Sequence, residues 1–129
     1  GSAVTRVKYH ALNPLRDEIC ALLSALAHRG TADDSKAREA YDIAVRELGL
    51  KKPPALCPPR EDYLRAVGQS LEVLSSASPA IKRRIIRACT AAVAADQQVT
   101  IGEAELVRAI AVTLDCPLPP FLLAQDKEK

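Results

Sequence analysis

The groups from which this chain could most readily build a reactive centre are two histidines, four cysteines and sixteen carboxylates. Their spacing excludes the common arrangements. His10 is followed by Ala11 and His28 by Arg29, so the His-Glu-x-x-His pair that holds a catalytic zinc on one helical face is absent. Cys20, Cys57, Cys89 and Cys116 include no Cys-x-x-Cys pair, which removes zinc knuckles and dithiol redox motifs. Gly68-Gln69-Ser70-Leu71-Glu72 lacks the second glycine of a nucleophile elbow and falls within a helical period. None of the five glycines precedes Lys-Ser or Lys-Thr at phosphate-loop spacing. These patterns argue against catalysis by this chain. A non-standard enzyme would need a concave pocket that sets His28 or His10 beside a carboxylate and a cysteine.

Oxygen chemistry has one candidate location. Asp96, the carbonyls of the loop that runs to Thr100, and Glu103 or Glu105 offer ligands that suit a hard cation. The competing reading is structural: Thr100-x-x-Glu103 is a capping box, in which the threonine oxygen accepts from the third helical amide and the glutamate reaches back to the cap. The loop is also shorter and poorer in carboxylates than a calcium-binding EF-hand. No metal is therefore expected here, with Asp96, Glu103 and Glu105 as the residues to inspect.

Two features suit a partner better than a reaction. Lys82, Arg83, Arg84 and Arg87 form a basic cluster, and a 3.6-residue period turns Arg83, Arg84 and Arg87 away from the apolar stripe Ile81, Ile85, Cys89. A solvated helix face explains this, and a docking patch for phosphates, anionic lipid or an acidic partner would look the same. No aromatics interleave with the arginines, which disfavours a nucleic-acid reader. The second feature is the run from Cys116 to Leu123, where Leu118, Phe121, Leu122 and Leu123 are too apolar to be left wet. It is expected to pack back on the domain with Phe121 as its anchor, or else to serve a partner.

The elements that must position these groups are helices. Asn13-Pro14 reads as a cap followed by proline at the first helical position, and Leu15, Ile19, Leu22, Leu23 and Leu26 form a stripe that ends near Arg29-Gly30. Caps at 31–35 precede Ala37, Ala40, Tyr41, Ala44, Val45 and Leu48, with Gly49 as the left-handed stop. A proline-rich loop from Leu50 to Pro59 leads to a third stripe, Tyr63, Leu64, Val67, Leu71 and Leu74. Ser78-Pro79 repeats the cap-then-proline start for Ile81, Ile85, Cys89, Ala92 and Val93, and Thr100 opens a fifth helix carrying Leu106, Ile110 and Leu114. The prolines at 117, 119 and 120 prevent its continuation. No stretch alternates as a strand does, so the fold class is all-α, a bundle of about five helices.

Composition agrees with one domain. The 129 residues carry a net charge of +2, with 26% charged and 48% apolar residues, near the average for globular proteins. The apolar runs are too short for a spanning helix. Residues 1–12 read as a cleavage scar and lead-in segment, 13–123 as a single helical domain and 124–129 as a polar tail. The cysteines are expected to be free thiols, as in a reducing compartment, because Cys20 and Cys89 lie on apolar helical faces.

Two resemblances rest on particular residues. Ala95-Asp96-Gln97-Gln98-Val99-Thr100-x-x-Glu103-x-x-Leu106 resembles the Ala-Asp-Gly-x-Val-Thr-x-x-Glu helix-loop-helix of TerB-like domains, with Gln97 where that pattern has glycine. From about Asn13 to Leu122 the chain is similar to the C-terminal region of bacterial integral-membrane zinc metallopeptidases, the HtpX-like relatives of the CAAX prenyl proteases. The residues that carry this are Leu22-Leu23-x-x-Leu26-Ala27-x-x-Gly30, Ala37-x-x-Ala40-Tyr41, Ser78-Pro79-x-x-Lys82, Glu105 to Ile110 and Leu114 to Pro120. In that family the membrane helices and the zinc site lie upstream, so no catalytic residue carries over and no cofactor is expected in this chain.

The resemblance implies a non-catalytic accessory domain, on the cytoplasmic side of a bacterial inner-membrane protease, that recruits substrate, regulates or assembles. Its partners would be the upstream peptidase and membrane domains and protein substrates, without nucleic acid or a membrane span of its own. The alternative is a stand-alone TerB-like stress-response domain that binds a cation or a protein.

Overall fold

A computed structural model describes residues 7–50, 52–95 and 99–117. Asp96, Phe121 and the rest of the run after Pro117, all singled out above, lie outside the described residues. The five helices are α1 (Arg16–Gly30), α2 (Asp34–Leu48), α3 (Tyr63–Leu74), α4 (Pro79–Ala94) and α5 (Ile101–Thr113), and a single 3₁₀ turn, Asn13–Leu15, precedes α1. Among the described residues there is no strand; one isolated bridge joins Tyr9 to Ala77. The chain is thus an all-α bundle.

Helix α1 is the hub, packing on each of the other four helices, while α2 lies along α4. Its stripe of Leu15, Ile19, Leu22, Leu23 and Leu26 is wholly buried, and Tyr41, Leu48, Leu74, Ile85, Ile110 and Leu114 close around it. Burying each such side chain stabilises the fold by about 1.5–3 kcal/mol relative to leaving it exposed.

The helix ends follow the sequence with instructive departures. Asp33 caps α2, its carboxylate accepting from the amides of Ser35 at 2.8 Å and Lys36 at 3.3 Å, and Gly49 stops the helix at φ 72°. Ser78 accepts from the amide of Ile81 and Pro79 sits at the first position of α4. Asn13, in contrast, makes no cap: Leu12 folds inward as a buried residue, so the chain enters through the 3₁₀ turn and α1 starts at Arg16. Leu64 is 65% exposed, because α3 presents Val67, Leu71 and Leu74 inward and Leu64 lies outside that arc. The stop of α5 is made before the prolines, by Asp115 at φ 58°: its amide donates to Val112 at 3.1 Å and that of Cys116 donates to Ala111 at 2.9 Å, a Schellman pairing.

Residues of the lead-in are pinned as well. The amides of Lys8 and Tyr9 donate to Ser76 at 2.7 and 3.2 Å, and the amide of Ser78 donates back to Tyr9 at 2.8 Å, which ties this segment to the α3–α4 turn.

Candidate functional site

The most site-like hollow is a groove of about 270 Å³ between α1, the proline-rich loop and the first turn of α3. Ala21, Ala25 and Ala66 form its small-residue floor; His28, Arg29, Cys57, Arg60, Glu61 and Tyr63 supply its polar edge. It exists because one residue of the loop is bolted to one face of α1. Ser24 and His28, a helical turn apart, take the two backbone groups of Cys57: its amide donates to Ser24 Oγ at 3.0 Å, and His28 Nε2 donates to its carbonyl at 2.7 Å. A carbonyl oxygen only accepts, so Nε2 carries the hydrogen. Nearer the start of the loop, the buried Tyr41 hydroxyl donates to the carbonyl of Pro54 at 2.5 Å.

The far wall is equally built. The Arg29 guanidinium lies 4.9 Å from the centre of the Tyr63 ring, a cation–π contact across the α1–α3 seam. Arg60 and Asp62 pair through two bonds of 2.9 Å at the start of α3, and that pairing holds the Asp62 carboxyl below its usual range. It also explains why Asp62 does not cap α3 with its side chain.

The groove therefore gathers a histidine, a cysteine and a carboxylate, yet His28 bonds to the backbone of Cys57. No hydrogen bond joins its ring to the Cys57 thiol or to Glu61. As arranged, Ser24 and His28 hold a loop in place. Sequence periodicity missed this clasp because the loop has no period; the available signal was Ser24 itself, a polar residue 2% exposed within a leucine stripe.

Of the oxygen candidates, Glu103 and Glu105 are separated by the helix that carries them. Glu103 faces inward at 3% exposure and completes the capping box: its Oε1 accepts from the Thr100 amide at 2.9 Å, and Thr100 Oγ1 accepts from the Glu103 amide at 3.0 Å. Glu105 faces outward and is exposed. A cavity of about 130 Å³ beside Glu103 is lined by Gly30, Thr31, Lys36 and Glu39 among others. Among the described residues no three His, Cys, Asp or Glu side chains gather as metal ligands.

Of the basic cluster, Arg83 and Arg87 are exposed on α4. Arg84 has a structural task, since its Nη2 donates to the Leu48 carbonyl at 2.6 Å and so satisfies the C-terminal end of α2. All four cysteines are free thiols. Burial pushes the Cys20 and Cys116 thiols up and that of the fully buried Cys89 up to about 12, so none of the three is primed as a nucleophile.

No described helix is long and apolar enough to cross a membrane. No protein-family model, curated protein or solved structure matches the chain.

Proposed function

We propose that this chain is a non-catalytic accessory domain that serves a membrane-anchored zinc metallopeptidase by recruiting substrate, regulating or assembling, with the zinc held by the upstream catalytic part of the parent. The observation that carries the non-catalytic reading is the clasp on Cys57. The hydroxyl and imidazole that a groove enzyme would deploy are committed to backbone groups, which leaves an alanine-floored surface rimmed by Arg29, Arg60 and Tyr63 suited to hold a segment of protein. The parentage rests on the resemblance alone: the residues that carry it fall on the second half of α1, the first half of α2, the capped start of α4, the body of α5 and the segment after it, of which 118–120 lie outside the described residues. Exposed Arg83 and Arg87 offer a second, basic contact to acidic segments of such partners.

The experiment is a deletion of residues 13–123 from the full-length parent, assayed on a short peptide and on a protein substrate. Unchanged peptide cleavage with lost protein cleavage is the expected pattern. Equal loss of both would place the domain in the catalytic fold, and loss of neither would remove it from proteolysis. Purified alone, the chain should leave casein intact with or without added zinc.

The alternative, a TerB-like cation site, draws support from Glu103, Glu39 and Thr31 lining one cavity, and is opposed by Lys36 in the same lining. A calcium or zinc titration that raises Tm by several degrees would favour it.

A further inference from the structure

Helix α4 contains no Asp or Glu, yet it carries Lys82, Arg83, Arg84 and Arg87. Its apolar side, with Ile81, Ile85, Cys89, Ala92 and Val93, is buried in the bundle. At about 100° per residue, Ala80, Arg83, Arg84, Arg87, Ala91 and Ala94 share about 100° of the outer side, and all but the half-buried Ala91 are exposed. Arg84 gives one donor to the Leu48 carbonyl, and Lys82 is half-buried. Arg83 and Arg87 are different: they make no hydrogen bond or ion pair among the described residues. Glu47, beside the Leu48 that Arg84 holds, and Asp115, beside Cys116, form no ion pair with them. This face therefore presents open positive charge with no carboxylate on its own helix to answer it.

The shape of the face decides which anions fit. A peptide segment is held in a groove or along a strand edge, where its backbone and side chains find partners. Here the surface is one convex helix whose backbone groups bond within the helix, and neither the groove nor the cavity beside Glu103 includes Arg83 or Arg87. Lipid headgroups need no groove, because they diffuse laterally and gather under whatever cations are presented. The alanines beside the arginines let the face lie close to such a surface, and with no bulky apolar side chain among them it has nothing to insert.

We propose that the outer face of α4 docks on an anionic lipid surface, with Arg83 and Arg87 as its phosphate contacts. The guanidinium fork matches a phosphate through two parallel bonds. Exposed Lys8, on the segment tied to Ser76 just ahead of α4, adds a further cation. Each cation held near such a surface raises partitioning about fivefold, so the two arginines together contribute about thirtyfold. A contact this weak needs a high local concentration of lipid, which the membrane-anchored parent proposed above supplies. No residue of α4 lines the groove, so a domain resting on α4 keeps the groove open to protein.

The test is co-sedimentation of the full chain with vesicles of phosphatidylcholine alone or with about 30% phosphatidylglycerol, in about 50 mM and about 0.5 M salt. Binding to the anionic vesicles at low salt, and its loss at high salt, is the expected pattern. Arg83→Gln/Arg87→Gln should lower the partition coefficient about thirtyfold while the circular-dichroism melt stays that of the parent. The chain carries a net charge of only +2, so bulk attraction is small, and Arg38→Gln/Arg65→Gln, which removes the same charge from exposed positions on α2 and α3, should change binding less than about threefold. Equal binding to both vesicles overturns the proposal, as does equal loss in the two variant pairs or binding that survives 0.5 M salt. An oligoglutamate peptide that binds Arg83 and Arg87 more tightly than the vesicles do assigns the face to acidic protein segments and overturns it too. The vesicles test this face without the parent, and the deletion of 13–123 tests the parentage without the vesicles.

Discussion

The replacement Gly30→Ala sets two effects of opposite sign against each other. Gly30 ends α1, and alanine there gains up to about 1 kcal/mol of helix propensity. A Cβ at that position, however, would run into the Glu103 carboxyl, touching Oε2 and standing 2.8 Å from Cδ and 3.3 Å from Oε1. A flexible side chain could swing aside at little cost. Glu103 is 3% exposed and its Oε1 holds the Thr100 amide at 2.9 Å, so retreat undoes one half of the capping box and displaces a buried carboxylate from its bonded position. Losing the box costs about 0.5–2 kcal/mol, and a buried polar group left without its partner about 1–3 kcal/mol. The clash should win, for a net destabilisation of about 1–3 kcal/mol, or roughly 3–10 °C in Tm for a domain of this size. Thermal melts of Gly30→Ala, Glu103→Ala and the double variant form the assay. The double variant should be more stable than the sum of the single losses predicts, because once the carboxyl is gone the alanine has nothing to strike. A Gly30→Ala protein that melts at or above the parent would show that Glu103 moves freely, and the argument for a locked α1–α5 contact would fail.

Alkaline stability gives a second expectation. Burial raises the Cys20, Cys89 and Cys116 thiols and the Tyr41 hydroxyl above their unfolded values, with Cys89 pushed up to about 12. The folded state then binds more protons than the unfolded one, so this stability is complete below the unfolded thiol value near 8.5 and falls as pH rises toward 12, by about 1 kcal/mol per pH unit for Cys89. Urea midpoints that stay level from about pH 8 to 11 would contradict it. The clasp gives a third: Ser24→Ala and His28→Ala should each cost about 1–3 kcal/mol and speed hydrogen exchange at the Cys57 amide, non-additively when combined, since both hold one residue. Exchange at Cys57 that neither variant alters would leave the loop held by other contacts.

The parts of this fold legible in the sequence are those that repeat. Five apolar stripes specified five helices, and the Ser78 and Thr100 caps and the Gly49 stop were readable because each uses side-chain or backbone chemistry within four residues, whereas 31–35 offered several caps of which Asp33 is the one used. Asn13 misled because a cap competes with burial, and the buried Leu12 turned the entry into a 3₁₀ turn. Leu64 misled because apolar type alone does not fix phase: the arc of α3 was set by Val67, Leu71 and Leu74. Arg84 read as one of three equivalent solvated arginines, yet it serves Leu48, 36 positions away.

The groove was invisible for the same reason, and its physics explains where sequence reading stops. Cys57 meets Ser24 and His28 across 33 and 29 positions, and the Thr100 hydroxyl donates to the Arg29 carbonyl across 71. These contacts use no periodicity. They serve loops and helix ends, where the chain has backbone groups without a helical partner that some side chain must satisfy. The C-terminal half of α1 collects most of them: Ser24 and His28 hold the loop, Arg29 stacks on Tyr63 and lies against Gly102, and Gly30 admits Glu103. One helix end thereby joins the groove wall to the first turn of α5. A segment seated against His28 and Arg29 would therefore press on the residues that set the start of α5.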